Sequence, residues 1–410
     1  MEVKPGYKQT EVGVIPEEWE VKTLKSLNFD ISDGNYSSKY PSASDFRPIG
    51  VPFIRANNIH NMGILADDMR FISQDQHREL LKGHLKKNDV LITTRGDIGQ
   101  VALVPERHVD SNINAQLVRM NTSNQSVDHR FFAYSLLSKA SQKQLGNLQT
   151  GSALKQLPVG KLIQLRLVLP TLPEQGAIAG ALSDVDALIG ALDQLITKKR
   201  DIKHAAMQQL LTGKRRLPGF HGKWEVKRFG EVATPRKETV DPRRRGVQEF
   251  CIELEHIEPA TGKLLGSTST RVNSSLKSAF REHDVLFGKL RAYLRKYWLA
   301  DRSGVCSTEI WVFMPNARVV TGSYLFQLIK GDQFVEAAST AYGTHMPRCD
   351  WNVVKNFEFR LPAIAEQTAI AEVLSDMDAE ISALEQRRDK TRALKQGMMQ
   401  ELLTGRIRLI

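Results

Sequence analysis

Residues 174–217, EQGAIAGALSDVDALIGALDQLITKKRDIKHAAMQQLLTGKRRL, return as residues 366–409, EQTAIAEVLSDMDAEISALEQRRDKTRALKQGMMQELLTGRIRL. The offset is 192 throughout, and 25 of the 44 positions are identical. In each copy apolar residues recur at alternating spacings of four and three: Ile178, Leu182, Val185, Ile189 and Leu192, then Ile370, Leu374, Met377, Ile381 and Leu384. That rhythm predicts a coiled-coil seam on a helix of about 38 residues, roughly 57 Å long. Prolines mark each entry (Pro170 and Pro173, then Pro362), and Leu-Leu-Thr-Gly marks each exit, where Gly213 and Gly405 suit a left-handed helix stop. Two such seams separated by one domain predict an antiparallel pair, the alternative being two helices that each lie on their own domain. Ala177, Ala181, Leu188, Ala191, Leu195 and Ile202 widen the first stripe beyond a two-helix contact. The extra width points to further helices from a partner, or to cover by the chain's own domains.

Outward from the helices, Trp19-Glu20-Val21-Lys22 returns as Trp224-Glu225-Val226-Lys227, at offset 205. The chain therefore reads as two related halves in tandem. We expect globular domains over residues 1–170 and 216–362, and long helices over 171–215 and 363–410. The globular parts read as mixed α/β (α+β). Short strands are expected at Val51–Arg55, Asp89–Thr94 and Gln116–Met120, with counterparts at Phe250–Leu254, Asp284–Phe287 and Glu309–Phe313. One shorter helix is expected in each, around Phe131–Leu145 and Tyr324–Ala338. The offset shrinks from 205 to 195 at Asp89/Asp284 and to 192 beyond, so the length changes fall in the early loops. Divergent loops on a duplicated scaffold with internal pseudo-two-fold symmetry suggest two ligands of one class.

A chain of 410 residues with 41% apolar and 25% charged residues suits two soluble domains with proper cores. No apolar run reaches membrane-spanning length and the N-terminus lacks a signal core, so the expectation is a cytoplasmic protein without a membrane partner. Cys251, Cys306 and Cys349 lack metal or redox spacing and read as reduced core thiols. The net charge of +11 favours a polyanionic partner.

Catalytic signatures are missing: no phosphate-binding loop, no HExxH, no Cys/His cluster and no aminomethyltransferase tetrapeptide. Glu253, Glu255 and Glu258 could imitate a nuclease metal site, but no lysine follows at short spacing. The histidines show no ligand spacing. We therefore expect no catalytic residue, metal or cofactor on this chain.

The loops instead carry side chains suited to phosphates and base edges. In the first half these are Asn35, Tyr36, Ser37, Lys39, Arg55, Asn57, Thr94 and Arg95. In the second, Arg236 and Lys237 are followed by Arg243-Arg244-Arg245, then by Lys289, Arg291, Tyr293 and Arg295. Two register-matched segments add Ser152, Lys155 and Gln156, and Thr344, His345 and Arg348, with Gly151 and Gly343 suiting close approach to a phosphate. Singly, each reads better as a solvated surface residue; taken together on corresponding loops of both halves they favour DNA contact.

The helix entries with Glu174-Gln175 and Ile178-Ala179, then Glu366-Gln367 and Ile370-Ala371, resemble those of type I restriction–modification specificity subunits. The tryptophan openings and the strands at Asn88-Asp89-Val90-Leu91 and His283-Asp284-Val285-Leu286 fit the same family, and the resemblance covers essentially the whole chain. It implies a non-catalytic subunit whose two target recognition domains read a bipartite, asymmetric DNA site. The antiparallel helices would set the unread spacer and dock two methyltransferase subunits, and restriction subunits with translocase and nuclease activity would join them. S-adenosylmethionine, ATP and Mg would bind those partners. The other readings are a methyltransferase or nuclease with an unrecognised active site, and a structural coiled-coil adaptor.

Overall fold

The computed structural model describes residues 4–34, 38–122, 126–272, 275–340 and 348–409. It divides into two units, Met1–Ala191 with Arg387–Ile410, and Leu192–Gln386. Each unit thus takes part of both long helices, which run over Leu172–Leu210 and Ile364–Leu402. Among the described residues, no helix is long and apolar enough to cross a membrane.

In the first unit a four-stranded antiparallel sheet has the order Val101–Leu103, Asp89–Thr93, Leu117–Asn121, Asp30–Asp33. In the second the order is Tyr297–Leu299, Val285–Gly288, Ile310–Pro315, Ala233–Pro235, the same arrangement built from corresponding segments. Asp89–Thr93 and Val285–Gly288 are buried along their whole length, so each reads as an apolar run rather than an alternating pattern. Both begin at a sharp turn. Asn88 and His283 take positive φ (64° and 68°), and the carboxylates of Asp89 and Asp284 accept the amides of Lys86 and Arg281. An aspartate closing the turn fixes where each strand starts.

The single short helix expected in each half is two helices. His129–Leu137 gives way to Lys139–Leu148 at Ser138, and Gly322–Lys330 to Asp332–Ser339 at Gly331. Both junction residues are extended (ψ 148° and 145°), and Ser138 caps the second helix by accepting from the amide of Ser141. Apolar periodicity runs through such a break because the same core face continues across it.

The entry motif of each long helix ties its unit together. Glu174 accepts the indole N–H of Trp19 (3.2 Å) and the Arg408 guanidinium (2.8 Å). In the other unit Glu366 accepts Trp224 (3.0 Å) and Arg216 (2.6 and 2.8 Å). The arginine that completes each set follows the glycine at the end of the opposite long helix. Those glycines have φ of 69° and 71° and lie against the two tryptophans, so the helix stop packs on the domain opening. The neighbouring glutamines are equally structural: Gln175 accepts the amide of Asp128 (2.9 Å), and Gln367 that of Thr321 (3.0 Å).

The seam has two kinds of member. Ile178 and Leu182 are buried with Trp19 and Phe131 and with Leu402 and Leu403 of the other helix, while Ile370 and Leu374 are buried with Phe229, Tyr324, Leu210 and Leu211. The helix ends thus belong to the globular cores, a refinement of the seam read from spacing alone. Leu192 and Ile381 are buried and Val185, Ile189, Met377 and Leu384 half-buried. Ion pairs fix the antiparallel sense within each unit: Lys395 to Asp186 (2.6 Å) in the first, Lys203 to Asp378 and Lys199 to Glu380 (2.6 Å) in the second. Leu188 in the first unit, and Leu195 and Ile202 in the second, stay 41, 39 and 46% exposed, so each unit leaves its part of the second stripe partly open.

Candidate nucleic-acid interface

In each unit the loop leaving the central strand meets the loop following the broken helix. In the first, the Leu157 amide donates to the Thr94 carbonyl (2.9 Å), Arg95 forms a β-bridge with Gln156, and its guanidinium donates to the Gln156 side chain (3.2 Å). In the second, the Cys349 amide donates to the Lys289 carbonyl (2.8 Å), and Leu290 forms a β-bridge with Arg348. The structure therefore joins Arg95 with Ser152, Lys155 and Gln156, and Lys289 and Arg291 with Arg348. The pairing follows from the repeat: the same two backbone positions hydrogen-bond in both copies.

The loop bearing Ser152 and Lys155 closes on itself through reciprocal amide–carbonyl bonds between Thr150 and Gln156 (2.8 and 2.9 Å). Gly151 sits at φ 91°, and a Cβ there would fall 2.5 Å from the Leu154 carbonyl oxygen. The glycine expected to admit a phosphate is thus required by the chain's own turn. Ser152, Lys155 and Gln156 are exposed around it.

In the second unit Arg291 is exposed at φ 56° and Tyr293 is 57% exposed. Among the described residues, Lys155, Lys237 and Arg291 are exposed cations with no ion pair. Exposed Arg348 pairs with half-buried Glu309 (3.0 Å), and Lys39 with Glu79 (3.4 Å), the latter at exposed positions where screening keeps the pair weak.

Other expected contacts are turned to structural work. Thr94 is buried and donates to the Gln116 carbonyl (3.1 Å). Arg55 binds the carbonyl and carboxylate of Asp68 (2.6 and 2.7 Å), and Asn57 approaches the same carboxylate (3.5 Å). Arg236 makes a bidentate pair with buried Asp284 (2.9 and 3.0 Å), and Arg295 holds Asp332 at the start of the second short helix (2.5 Å). Sequence alone could not separate these from surface cations, because their carboxylate partners lie far along the chain. Asn35, Tyr36, Ser37, Thr344 and His345 fall outside the described residues.

Elsewhere, Glu253 does acquire a lysine, from another strand: Lys277 is fully buried and donates to it at 2.7 Å. The pair is an ion pair beside the Cys251 thiol, which burial pushes up to about 11. Cys251, Cys306 and Cys349 are buried and unpaired. His77, His84 and Asp110 also converge, although the histidines show no ligand spacing along the sequence (His77 Nε2 to Asp110 3.3 Å, His84 Nδ1 to Asp110 3.7 Å). The imidazoles are stacked 3.8 Å apart at 8°, so their in-plane lone pairs run parallel and a shared ion would require one ring to turn.

The family profile of the type I restriction modification DNA specificity domain matches residues 16–199 and 222–392. The MjaVIII specificity subunit of Methanocaldococcus jannaschii is 28% identical over 52% of this chain and 50% of its own length, so the match spans half of that relative. The EcoDI specificity subunit of Escherichia coli is 22% identical over 68% of this chain and 69% of its own. The crystal structure of a type I restriction–modification S subunit from M. genitalium superposes with a TM-score of 0.56 at 14% identity, covering 98% of each chain, which shows a shared fold.

Proposed function

Because the chain belongs to the type I restriction–modification DNA specificity family, we propose that it selects the DNA sequence on which partner subunits act. Each unit reads one half of a bipartite, asymmetric target. The loop pair carries this reading: Arg95 bridged to Gln156 in one unit and Leu290 to Arg348 in the other, with exposed cations beside both. Arg95, Gln156 and Arg291 are suited to base edges, and Lys155 and Lys237 to phosphates. The bridges hold the loops in place before DNA arrives, which lowers the ordering cost of binding.

The paired long helices set the unread length between half-sites. Their exposed stripe of Leu188, Leu195 and Ile202 supports docking of two methyltransferase subunits, to which restriction subunits attach. S-adenosylmethionine, ATP and Mg belong to those partners. A cytoplasmic location belongs to the same reading and is supported by the unpaired buried cysteines.

Sequencing modified adenines in cells carrying the system tests the proposal. We expect one bipartite motif, altered in one half by Arg95→Ala and in the other by Arg291→Ala. Adenine methylation by the isolated chain supplied with S-adenosylmethionine would overturn the non-catalytic reading.

A further inference from the structure

Two cavities occupy equivalent positions in the repeat, one in each unit: about 930 Å³ in the second and about 750 Å³ in the first. Both sizes lie in the range of sites that hold a ligand or an anchoring side chain. In each, one wall is the end of a long helix and another is the junction between the two short helices, at Ser138 or Gly331. The helix wall is the repeated part. Met207 matches Met399, Gln208 matches Gln400, the Leu and Thr of each Leu-Leu-Thr-Gly end line the cavity, and Lys214 and Arg406 place a cation at the same rim position. The strand before each long helix lines both cavities at matching positions but with different side chains (Arg166–Val168 and Glu358–Arg360), and the last wall comes from the N-terminal hairpin near Tyr7 in one unit and from Lys263 and Tyr297 in the other.

This division between constant and variable walls identifies the occupant. A ligand of the variable wall would differ between the halves, whereas a ligand of the repeated wall must be the same for both. We infer that the cavities are paired docking sites for one segment of a partner that assembles in two copies, the methyltransferase subunit. The inference rests on the partner reading above and locates where that partner is gripped. Methionine is an adaptable apolar lining, so the segment presents an apolar anchor. Among the described residues Lys214 is exposed with no ion pair, and Arg406 is exposed in a weak 3.4 Å pair with Glu401, so both rims suit a carboxylate beside the anchor. In the first cavity the buried Ser135 hydroxyl has no partner and lines the wall, leaving a polar group for the segment to satisfy. Apolar surface also continues from each cavity along its helix: Ile202 (46% exposed) lies within two turns of Met207, and its repeat equivalent Leu394 (60%) within two turns of Met399.

The test uses the full chain co-expressed with its methyltransferase, with stoichiometry read by native mass spectrometry and affinity by titration. Gln208→Trp and Gln400→Trp fill the cavities from exposed helix positions; Lys214→Glu and Arg406→Glu reverse the rim charge. Each tryptophan variant is expected to lose one methyltransferase copy, that copy binding at least about tenfold more weakly. The double variant should lose both copies, and each charge reversal should give a smaller, salt-dependent loss. Where a tryptophan variant lowers the melting temperature, the charge reversals decide. Wild-type stoichiometry and affinity in both charge reversals would overturn the inference, as would cavity-dependent self-association of the chain alone. A wild-type chain that takes up no methyltransferase would instead overturn the partner reading.

Discussion

Arg236 and Lys237 are adjacent in sequence, yet the fold gives them opposite work. Arg236 is largely buried on Asp284, and Lys237 is exposed without an ion pair. Removing Arg236 leaves a buried carboxylate unpaired, so Arg236→Ala should destabilise the second unit by about 3 kcal/mol, read from urea denaturation. Lys237→Ala should leave that midpoint unchanged and lower DNA affinity evenly across sequences, with a salt slope smaller by about one. Glu174 gives a pH test. Burial alone pushes its carboxyl up, but hydrogen bonds from Arg408, Thr171 and Trp19 outweigh this and hold it below its ordinary 4.5. A carboxyl lowered by folding contributes stability that is full above its unfolded value and lost as the pH falls through the folded one. The first unit should therefore weaken on acidification below 4.5, and Arg408→Ala should flatten that acid slope.

At the scale of elements, the two helix stops share a motif but not a margin. A Cβ on Gly405 would sit 2.5 Å from Pro16, and one on Gly213 would sit 3.2 Å from the Trp224 ring. Both alanine variants incur the left-handed backbone penalty of about 1 kcal/mol. Gly405→Ala adds a clash with the proline ring, so its melting temperature should fall further. The seam is graded in the same way. Leu192 is 4% exposed and Leu384 only half-buried, so Leu192→Asp should cost more stability than Leu384→Asp, as thermal unfolding would show. Spacing placed both leucines on one stripe but could not rank them, because rank depends on what faces each turn of the helix.

For the whole molecule, the last segment belongs with the first. Arg387–Ile410 supplies Leu402 and Leu403 to the core around Trp19, and Arg408 to Glu174. Truncation at residue 386 should expose the first unit to hydrogen exchange while the sheets of the second stay protected.

The duplication, the long helices and the central strands are legible in the sequence, because periodicity and repeat register are local properties of the chain. Glu174-Gln175 and Glu366-Gln367 were visible as motif residues, but their roles were not: each glutamate meets an arginine from the opposite long helix, and each glutamine caps a short helix far upstream. The same limit explains Arg55, Arg236 and Arg295, whose charges suit phosphate but meet carboxylates brought up by folding. A cation's availability is set by its nearest opposite charge in space, and only the tertiary structure decides which that is.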